Sequence, residues 1–188
     1  MLYSQAQEIR MAVPILLVLL LSFTPAAPVS AQLPEPDQII RTQRTADART
    51  LIHTSDTVVL VHIDTAIRTW NTGRKLSADK EWVNARQKLN IRQVLKGDPS
   101  SPAYLLTTGI RPLPPPRDPL NEEYTGPLAD GDYILFLKKF PAGPYYILNG
   151  GFSAVYPVHS GRTIALEGEG FPEFNGKTVS EIRALILR

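Results

Sequence analysis

The sequence predicts a mainly β fold: one small antiparallel barrel with a short helix before it and another helix after it. Three observations favour this fold class. Short runs of β-branched and apolar residues recur along the chain, separated by Gly, Pro and Asn residues. The two segments with helical spacing are short and lie at the two ends of the region after residue 44. A barrel is favoured over an open sandwich because a closed sheet leaves few free strand edges.

The first 31 residues have the layout of a secretory signal peptide. Arg10 precedes an uncharged apolar run over 11–23, and a stretch of small residues follows it. We therefore predict cleavage between Ala31 and Gln32. The apolar run has 13 residues, whereas a helix that spans the bilayer needs about 20. The expectation is a secreted or periplasmic protein with no transmembrane span after cleavage; a retained N-terminal anchor is the alternative.

Composition limits the functions that remain. Removing residues 1–31 leaves 157 residues, a usual size for one domain with its own core. The absence of cysteine excludes disulfides, thiol catalysis and thiolate zinc sites. The formal net charge is +2, which is too balanced for a nucleic-acid partner, since such proteins usually carry a strongly basic face. Translation starts at either Met1 or Met11, and neither start changes the mature chain.

The mature chain is expected to begin with a leader, a helix and a strand. Residues 32–44 contain two prolines and predict a flexible leader. A short helix is predicted over 45–53, with Thr45 as its N-cap. The β-branched run over 57–67 predicts a strand in which alternate apolar residues share the buried face.

The clearest strand pattern runs from Trp82 to Leu95. Apolar and charged residues alternate through it, and a Lys-Gly-Asp-Pro sequence ends it. We predict one continuous, half-buried strand here, with a turn at 71–73 before it. A third strand is predicted over 103–108.

The second half of the chain begins with a proline-rich loop, predicted over 110–127. Five prolines fall within 111–119 and cannot join a central sheet. The closing helix is predicted to begin at Thr178, which forms a capping-box pattern with Glu181. The apolar runs between loop and helix predict four more strands, over 132–137, 145–148, 153–156 and 162–166. Together these elements form a single barrel domain over 45–188.

Three of these segments carry a family resemblance. Residues 55–61 are similar to the opening strand of certain exported bacterial barrel domains, 89–97 to the end of their second strand, and 131–137 to their central strand. The chain from residue 46 to 188 thereby resembles the oligonucleotide/oligosaccharide-binding (OB) type of barrel, as found in tissue inhibitors of metalloproteinases and netrin modules. The resemblance implies an OB-like fold. Those inhibitors act through an N-terminal cysteine, and this chain has none, so their activity is not implied.

Two surfaces are candidate binding sites. The first is a basic stripe on the outer sheet face, formed by Arg68, Arg86, Lys88 and Arg92. Such a stripe attracts an anionic polymer through salt-sensitive contacts; an ordinary solvated strand face is the alternative. The second is the proline loop, where the spacing of Pro112 and Pro115 predicts an extended helix that a partner can bind; a rigid connector is the alternative.

Catalytic and metal motifs are weak. His62 and Asp64 lie two apart on one strand face, a spacing that aims both at one ion, but two ligands do not make a metal site. The chain has no serine-hydrolase elbow and no phosphate-cradling loop. We therefore expect no metal, no cofactor and no catalytic residue that the sequence identifies.

The sequence favours an exported, non-catalytic binding or accessory module of unknown ligand. Its partner is expected to be an extracytoplasmic protein or an anionic polymer. Two alternatives stay open. One is an extracytoplasmic hydrolase whose site combines His62 with scattered carboxylates; the other is a protease inhibitor that acts through the loop at 111–119.

Overall fold

The computed structural model describes residues 33–188. Strands make up 38% of this region and helices 17%, so the predicted mainly β class is confirmed. The predicted signal peptide and the Ala31–Gln32 cleavage site lie outside the described residues. No helix between residues 33 and 188 is both long and apolar enough to cross a membrane.

Residues 33–188 form nine strands, three α-helices and two short 3-10 helices. The strands are β1 (Thr57–Ile63), β2 (Ile67–Lys75), β3 (Glu81–Lys88), β4 (Asn90–Lys96), β5 (Tyr104–Arg111), β6 (Gly131–Lys139), β7 (Tyr145–Leu148), β8 (Val155–His159) and β9 (Arg162–Thr163). The α-helices are α1 (Ala48–Thr54), α2 (Leu120–Glu123) and α3 (Val179–Ile186), and the 3-10 helices span Gly151–Ala154 and Pro172–Phe174.

The nine strands belong to one mixed sheet. Its order is β2-β3-β5-β7-β6-β1-β4, with β8 pairing to β6 and β9 to β8. The predicted antiparallel sheet needs a correction, because β5 and β7 run parallel. After the long 112–130 connection β6 pairs with β1, and β7 then returns antiparallel to β6 and beside β5. In the region that the structure describes, β2 and β4 do not pair, so the hydrogen-bonded order is not a closed barrel.

The continuous strand predicted from Trp82 to Leu95 is in fact two strands. The chain breaks at the buried Leu89, whose N–H donates to the Ala103 carbonyl at 3.0 Å. On one side of this break β3 pairs with β2 and β5, whereas on the other side β4 pairs with β1. The chain therefore passes from one part of the sheet to another within a single residue.

Other element boundaries also differ from the predicted ones. α1 has Asp47 rather than Thr45 as its N-cap, because the Asp47 carboxylate accepts the Thr50 N–H at 2.7 Å. The turn predicted at 71–73 lies inside β2, where the register against β3 shifts. The strand predicted over 153–156 begins only at β8 because the 3-10 helix Gly151–Ala154 precedes it. The capping box that begins α3 is confirmed.

Two apolar clusters stabilise the fold from opposite faces of β5. Leu105 belongs to the main core, which contains β1 and β6 residues and Ile182 of α3. Leu106 belongs to a smaller second cluster. Because successive residues of a strand point to opposite faces, the two clusters lie on the two sides of the sheet at this point. The second cluster is completed by Ile40, Phe140 and Tyr145.

Residues 33–42, which we call the leader segment, lie along the sheet instead of forming a flexible leader. Ile40 is buried in the second cluster, and its N–H donates to Thr108 Oγ1 at 2.7 Å. Trp70 Nε1 donates to the Pro36 carbonyl at 2.8 Å. A proline has no N–H to satisfy but keeps its carbonyl as an acceptor. The two prolines therefore suit an extended segment that the sheet holds by its carbonyls.

Candidate functional site: a basic cleft beside β4

The four basic residues of the predicted stripe lie in two separate places. Lys88 and Arg92 line one open cleft of about 730 Å³, which we call the basic cleft. Arg68 and Arg86 lie beside the leader segment, where Arg68 Nε donates to Glu35 Oε1 at 2.9 Å and Arg86 donates to the Tyr145 hydroxyl at 3.3 Å. The break at Leu89 divides the stripe, because it turns the chain between Arg86 and Arg92.

Three strands and one loop build the basic cleft. β1 contributes His62, the end of β3 contributes Lys88, and β4 contributes Arg92. The loop at 97–103 closes the other side with two serines and two prolines. This loop begins at Gly97, which has a φ of +79°, and a Cβ there would lie 2.2 Å from the Asp56 carbonyl oxygen. Only glycine therefore allows β4 to turn into this side of the cleft.

A row of polar side chains crosses β4, β1 and β6 at the cleft. His62 and Asp132 are paired across β1 and β6. The His62 Nδ1–H donates to Asp132 Oδ1 at 2.8 Å, and Arg92 donates to Asp132 Oδ2 at 2.7 Å. The single carboxylate of Asp132 therefore orients both an imidazole and a guanidinium. It also offsets part of the positive charge that Arg92 brings to the cleft.

Lys88 is the cation that this row does not neutralise. Its side chain is exposed at the end of β3. Among the ion pairs within residues 33–188, none includes Lys88. An exposed ammonium beside a partly neutralised guanidinium, in a concave site, is suited to binding an anion by charge and hydrogen bonds.

His62 and Asp64, whose spacing in the sequence could aim both side chains at one ion, have different partners in the structure. The Asp64 carboxylate accepts from the Ala66 N–H at 2.9 Å and from Asn90 at 3.4 Å, whereas His62 is oriented by Asp132. Within the described part of the chain, no three His, Asp or Glu side chains are grouped so that they could hold a metal ion. The hydrogen-bond partner of His62 is therefore Asp132 on the neighbouring strand β6, and not Asp64 two positions along the chain.

The basic cleft also contains hydroxyl groups. Ser100 and Ser101 both line it. The Ser100 hydroxyl lies 3.5 Å from the Pro102 carbonyl and 3.5 Å from the Tyr146 hydroxyl, and its N–H donates to that same tyrosine. Over residues 33–188, neither serine forms a hydrogen bond with His62. The imidazole and the hydroxyls share the cleft without forming an activated nucleophile.

The proline loop is exposed but folds back on itself. Pro112 and Pro115 are both exposed, and Leu113 between them is 87% exposed. The Pro115 carbonyl accepts from the Asp118 N–H at 2.9 Å and from Asn121 Nδ2 at 2.7 Å. These contacts tie the loop to the beginning of α2 and leave the Leu113 side chain exposed to solvent.

Sequence reasoning did not identify Asp132, Ser100 or Ser101 as part of this site. Asp132 lies 70 residues from His62, and only the β1–β6 register brings the two together. Without that register, nothing in the sequence indicates that His62 and Asp132 form a pair. No protein-family model matches the chain, and no curated protein is significantly similar to it.

Proposed function

We propose that this protein is an extracytoplasmic, non-catalytic binding module whose basic cleft takes an anionic polymer. The extracytoplasmic location rests on the predicted signal peptide. The observation that carries the binding function is the position of Lys88 and Arg92 on one open cleft, where no ion pair within residues 33–188 includes Lys88. A polymer with repeated anionic groups suits an open cleft because it can occupy several cationic contacts at once without being enclosed.

The charge balance of the molecule gives this binding a distinctive property. The net charge of the whole chain is only +2, so attraction must come from the local patch rather than from a long-range field. Charges in an exposed patch are screened within about 10 Å at 0.1 M salt. The affinity should therefore fall steeply as salt is added.

The test is retention on immobilised heparin, a sulfated polysaccharide used as the probe. Lys88→Ser and Arg92→Ser should each weaken binding by about two- to fivefold, as expected for exposed ionic contacts of up to about 1 kcal/mol. Arg117→Ser is the matched control, because Arg117 is also exposed but lies in the proline loop. Equal losses for the control and the cleft variants would refute the proposed site.

The finer fold assignment is also a proposal: we infer a five-stranded OB-like barrel. Its support is that only Leu89 separates β3 from β4. If these two are counted as one bent strand, the pairings β1–β4, β3–β5, β5–β7, β7–β6 and β6–β1 form a ring of five strands. Five strands is the number in the OB barrel. Cross-strand contacts measured by NMR between β1 and β4 and between β3 and β5 test this closure.

A hydrolase is a second candidate function, and one observation favours it. His62 lies in the basic cleft with Nδ1 hydrogen-bonded to Asp132, and in the neutral imidazole Nε2, 4.0 Å from Asp130 Oδ1, is then the proton acceptor. Such a base can activate a water molecule. Hydrolysis of p-nitrophenyl acetate by the wild type that is lost in His62→Ala, while the far-ultraviolet circular dichroism stays unchanged, would support it. An inactive wild type would count against it.

The protease-inhibitor alternative has a different basis, the exposed Leu113 on a rigid loop. A protruding apolar side chain held by prolines can enter a groove at little cost in conformational entropy. Inhibition of extracellular proteases that is lost when Leu113 becomes Ser would support this function. Inhibition that survives the substitution would exclude the loop as its cause.

A further inference from the structure

The leader segment occupies a groove on the outer face of β3, β5 and β7, and the groove contacts its backbone. Asn84 Nδ2 donates to the carbonyls of Pro36 at 2.8 Å and Gln38 at 3.0 Å. The Tyr145 hydroxyl donates to the Pro34 carbonyl at 2.6 Å. Alternate carbonyls of an extended chain are thus each met by a side chain from the sheet. Recognition of this kind depends little on the bound side chains.

A buried hydrogen-bond chain prepares the groove for such a backbone. Asn84 is fully buried. Its Oδ1 accepts from Thr108 Oγ1 at 2.5 Å, and Thr108 Oγ1 in turn accepts the Ile40 N–H at 2.7 Å. The Asn84 side-chain amide and the Thr108 hydroxyl therefore form their hydrogen bonds with the leader segment or with each other. Each member of this network is oriented by its neighbours and aims its donors and acceptors at the backbone of the leader segment.

Two side chains of the leader segment add selectivity. Ile40 enters the second apolar cluster among Leu106, Phe140 and Tyr145. Glu35 is paired with Arg68 at 2.9 Å. By contrast, Gln38 is exposed and contributes its carbonyl to Asn84. The fitting ligand is an extended peptide with an acid between two prolines and a branched aliphatic residue four positions after the second proline.

The covalent link between the leader segment and the rest of the fold is short and exposed. The last anchor of the leader segment is Thr42, whose N–H donates to the Glu123 carbonyl at 2.9 Å. Gln43 and Arg44 are exposed, and α1 begins only at Ala48. The Arg44 guanidinium lies 5.1 Å from the centre of the Phe171 ring, which belongs to the main core and not to the groove. The leader segment therefore lies in the groove as a bound ligand would, and the connector at 43–47 contributes little to the groove itself.

We propose that this groove is a peptide-binding site, with the leader segment as its resident occupant. Its ligand is an extended Pro-acid-Pro segment of a partner protein, followed by an aliphatic residue that enters the second cluster. This segment binds in place of the leader segment. The charge match at Arg68 and the seated leader segment both specify this chemistry. This site is separate from the basic cleft and does not depend on the function proposed for it.

The experiment uses the chain from Gln32 to Arg188 with a site-specific protease sequence inserted between Gln43 and Arg44. The protein folds with its leader in place and is then cut. A fluorescent peptide of residues 33–43 is added, and its anisotropy is measured. We expect the labelled peptide to exchange into the groove at a 1:1 ratio, and Asn84→Ala to weaken its binding about tenfold or more, since two hydrogen bonds are lost.

Peptide variants provide controls that leave the protein unchanged. Ile40→Asp in the peptide should abolish binding, because it places a charge in the apolar cluster. Gln38→Ala should bind as tightly as the parent, because only its carbonyl is used. These two results decide the proposal even if Asn84→Ala does not fold.

Four results would overturn the proposal. The first is that the cut leader segment stays bound in the presence of excess labelled peptide. The second is that its displacement unfolds the domain, as measured by far-ultraviolet circular dichroism. The Gln38→Ala peptide binds as poorly as the Ile40→Asp peptide, which would exclude backbone recognition. Finally, the uncut chain forms dimers that exchange leaders, which would assign the groove to a second copy instead of a separate partner.

Discussion

At the scale of single residues, two buried amides on β3 hold chain segments against opposite faces of the sheet. Asn84 binds the leader segment. Gln87, three residues later and 1% exposed, points to the other face. Its Nε2 donates to the Leu128 carbonyl and its Oε1 accepts the Leu128 N–H, both at 2.8 Å. β3 is thus covered on both sides by irregular segments that depend on its polar side chains.

Gln87→Leu should destabilise the fold by about 1–3 kcal/mol, because it leaves a buried N–H and a buried carbonyl of Leu128 without partners. The measurement is the free energy of unfolding in urea. Gln93→Leu makes the same chemical change at an exposed position of β4 and should stay within about 0.5 kcal/mol of the wild type. Equal effects at the two positions would contradict the role assigned to Gln87.

Tyr156 gives the fold a dependence on alkaline pH. It is fully buried between Phe136 and Phe174, and its hydroxyl accepts the Phe171 N–H at 3.0 Å. Burial raises the pKa of Tyr156 above its usual value of 10.0. The stabilisation is complete below the unfolded pKa, and it is lost as the pH rises through the higher folded pKa.

Tyr156→Phe should therefore flatten the loss of stability above about pH 10. At neutral pH it should cost about 1–3 kcal/mol, because the Phe171 N–H loses its acceptor. Urea unfolding of both proteins across this alkaline range measures the two slopes. The same slope in variant and wild type would show that Tyr156 does not titrate in the folded protein.

The residue pattern predicted an exposed basic stripe, but not that Arg86 would be half-buried, nor which of the side chains meet. The alternation through β3 and β4 placed Arg86 and Arg92 on one face, whereas the structure separates them at Leu89. The apolar side chains on both sides of Leu89 continue the same alternation, so nothing local marks the bend. His62 and Asp132 meet only through the register of β1 and β6, which no local pattern specifies.

At the scale of elements, signals in consecutive residues were predicted best. The α3 capping box is encoded within four residues, and both of its hydrogen bonds are present. The parallel pairing of β5 and β7 depends instead on where a connection of about twenty residues delivers the chain. Hydrogen bonds between neighbouring residues can therefore be predicted from the sequence. The pairing of distant strands cannot, because it depends on how the whole core packs.

The capping box also predicts an acid-dependent change in α3. Hydrogen bonds from the backbone N–H and the hydroxyl of Thr178 lower the pKa of Glu181 from its usual 4.5. A lowered carboxyl pKa means stabilisation that is present above the unfolded pKa and lost as the pH falls through the lower folded one. Glu181→Gln keeps the capping geometry but removes this titration.

The wild type should therefore be more stable than Glu181→Gln near neutral pH, and the difference should disappear in acid, below about pH 4. Urea unfolding at neutral and acid pH measures it. Glu167→Gln is the control, since Glu167 is exposed and forms no side-chain hydrogen bond within residues 33–188. A difference for Glu181→Gln that persists unchanged in acid would contradict this prediction.

At the scale of the whole molecule, the sheet carries apolar side chains on both faces, and the two clusters are covered differently. The main core is closed by α1, which directly precedes β1, and by α3, which follows the last strand. The second cluster is covered by the leader segment, which approaches from the N-terminal end and is held chiefly through carbonyls. The leader segment should therefore open before the core unfolds.

Substitutions in the two clusters should separate these events. Trp70 donates to the Pro36 carbonyl, so its fluorescence reports release of the leader segment. A Trp82→Phe background leaves Trp70 as the single tryptophan, and it removes no hydrogen bond, because Trp82 Nε1 has no partner in the described region. Far-ultraviolet circular dichroism reports the sheet.

Leu135→Ala, at a fully buried position of β6, should lower the urea midpoints of both probes together, with a cost of about 2–5 kcal/mol. Ile40→Ala should lower the Trp70 midpoint well below that of the circular dichroism, because it weakens the seat of the leader segment while the main core keeps its packing. Coincident transitions in Ile40→Ala would mean that the leader segment and the sheet unfold as one cooperative unit. The leader segment would then be part of the core structure and not an occupant that can be exchanged.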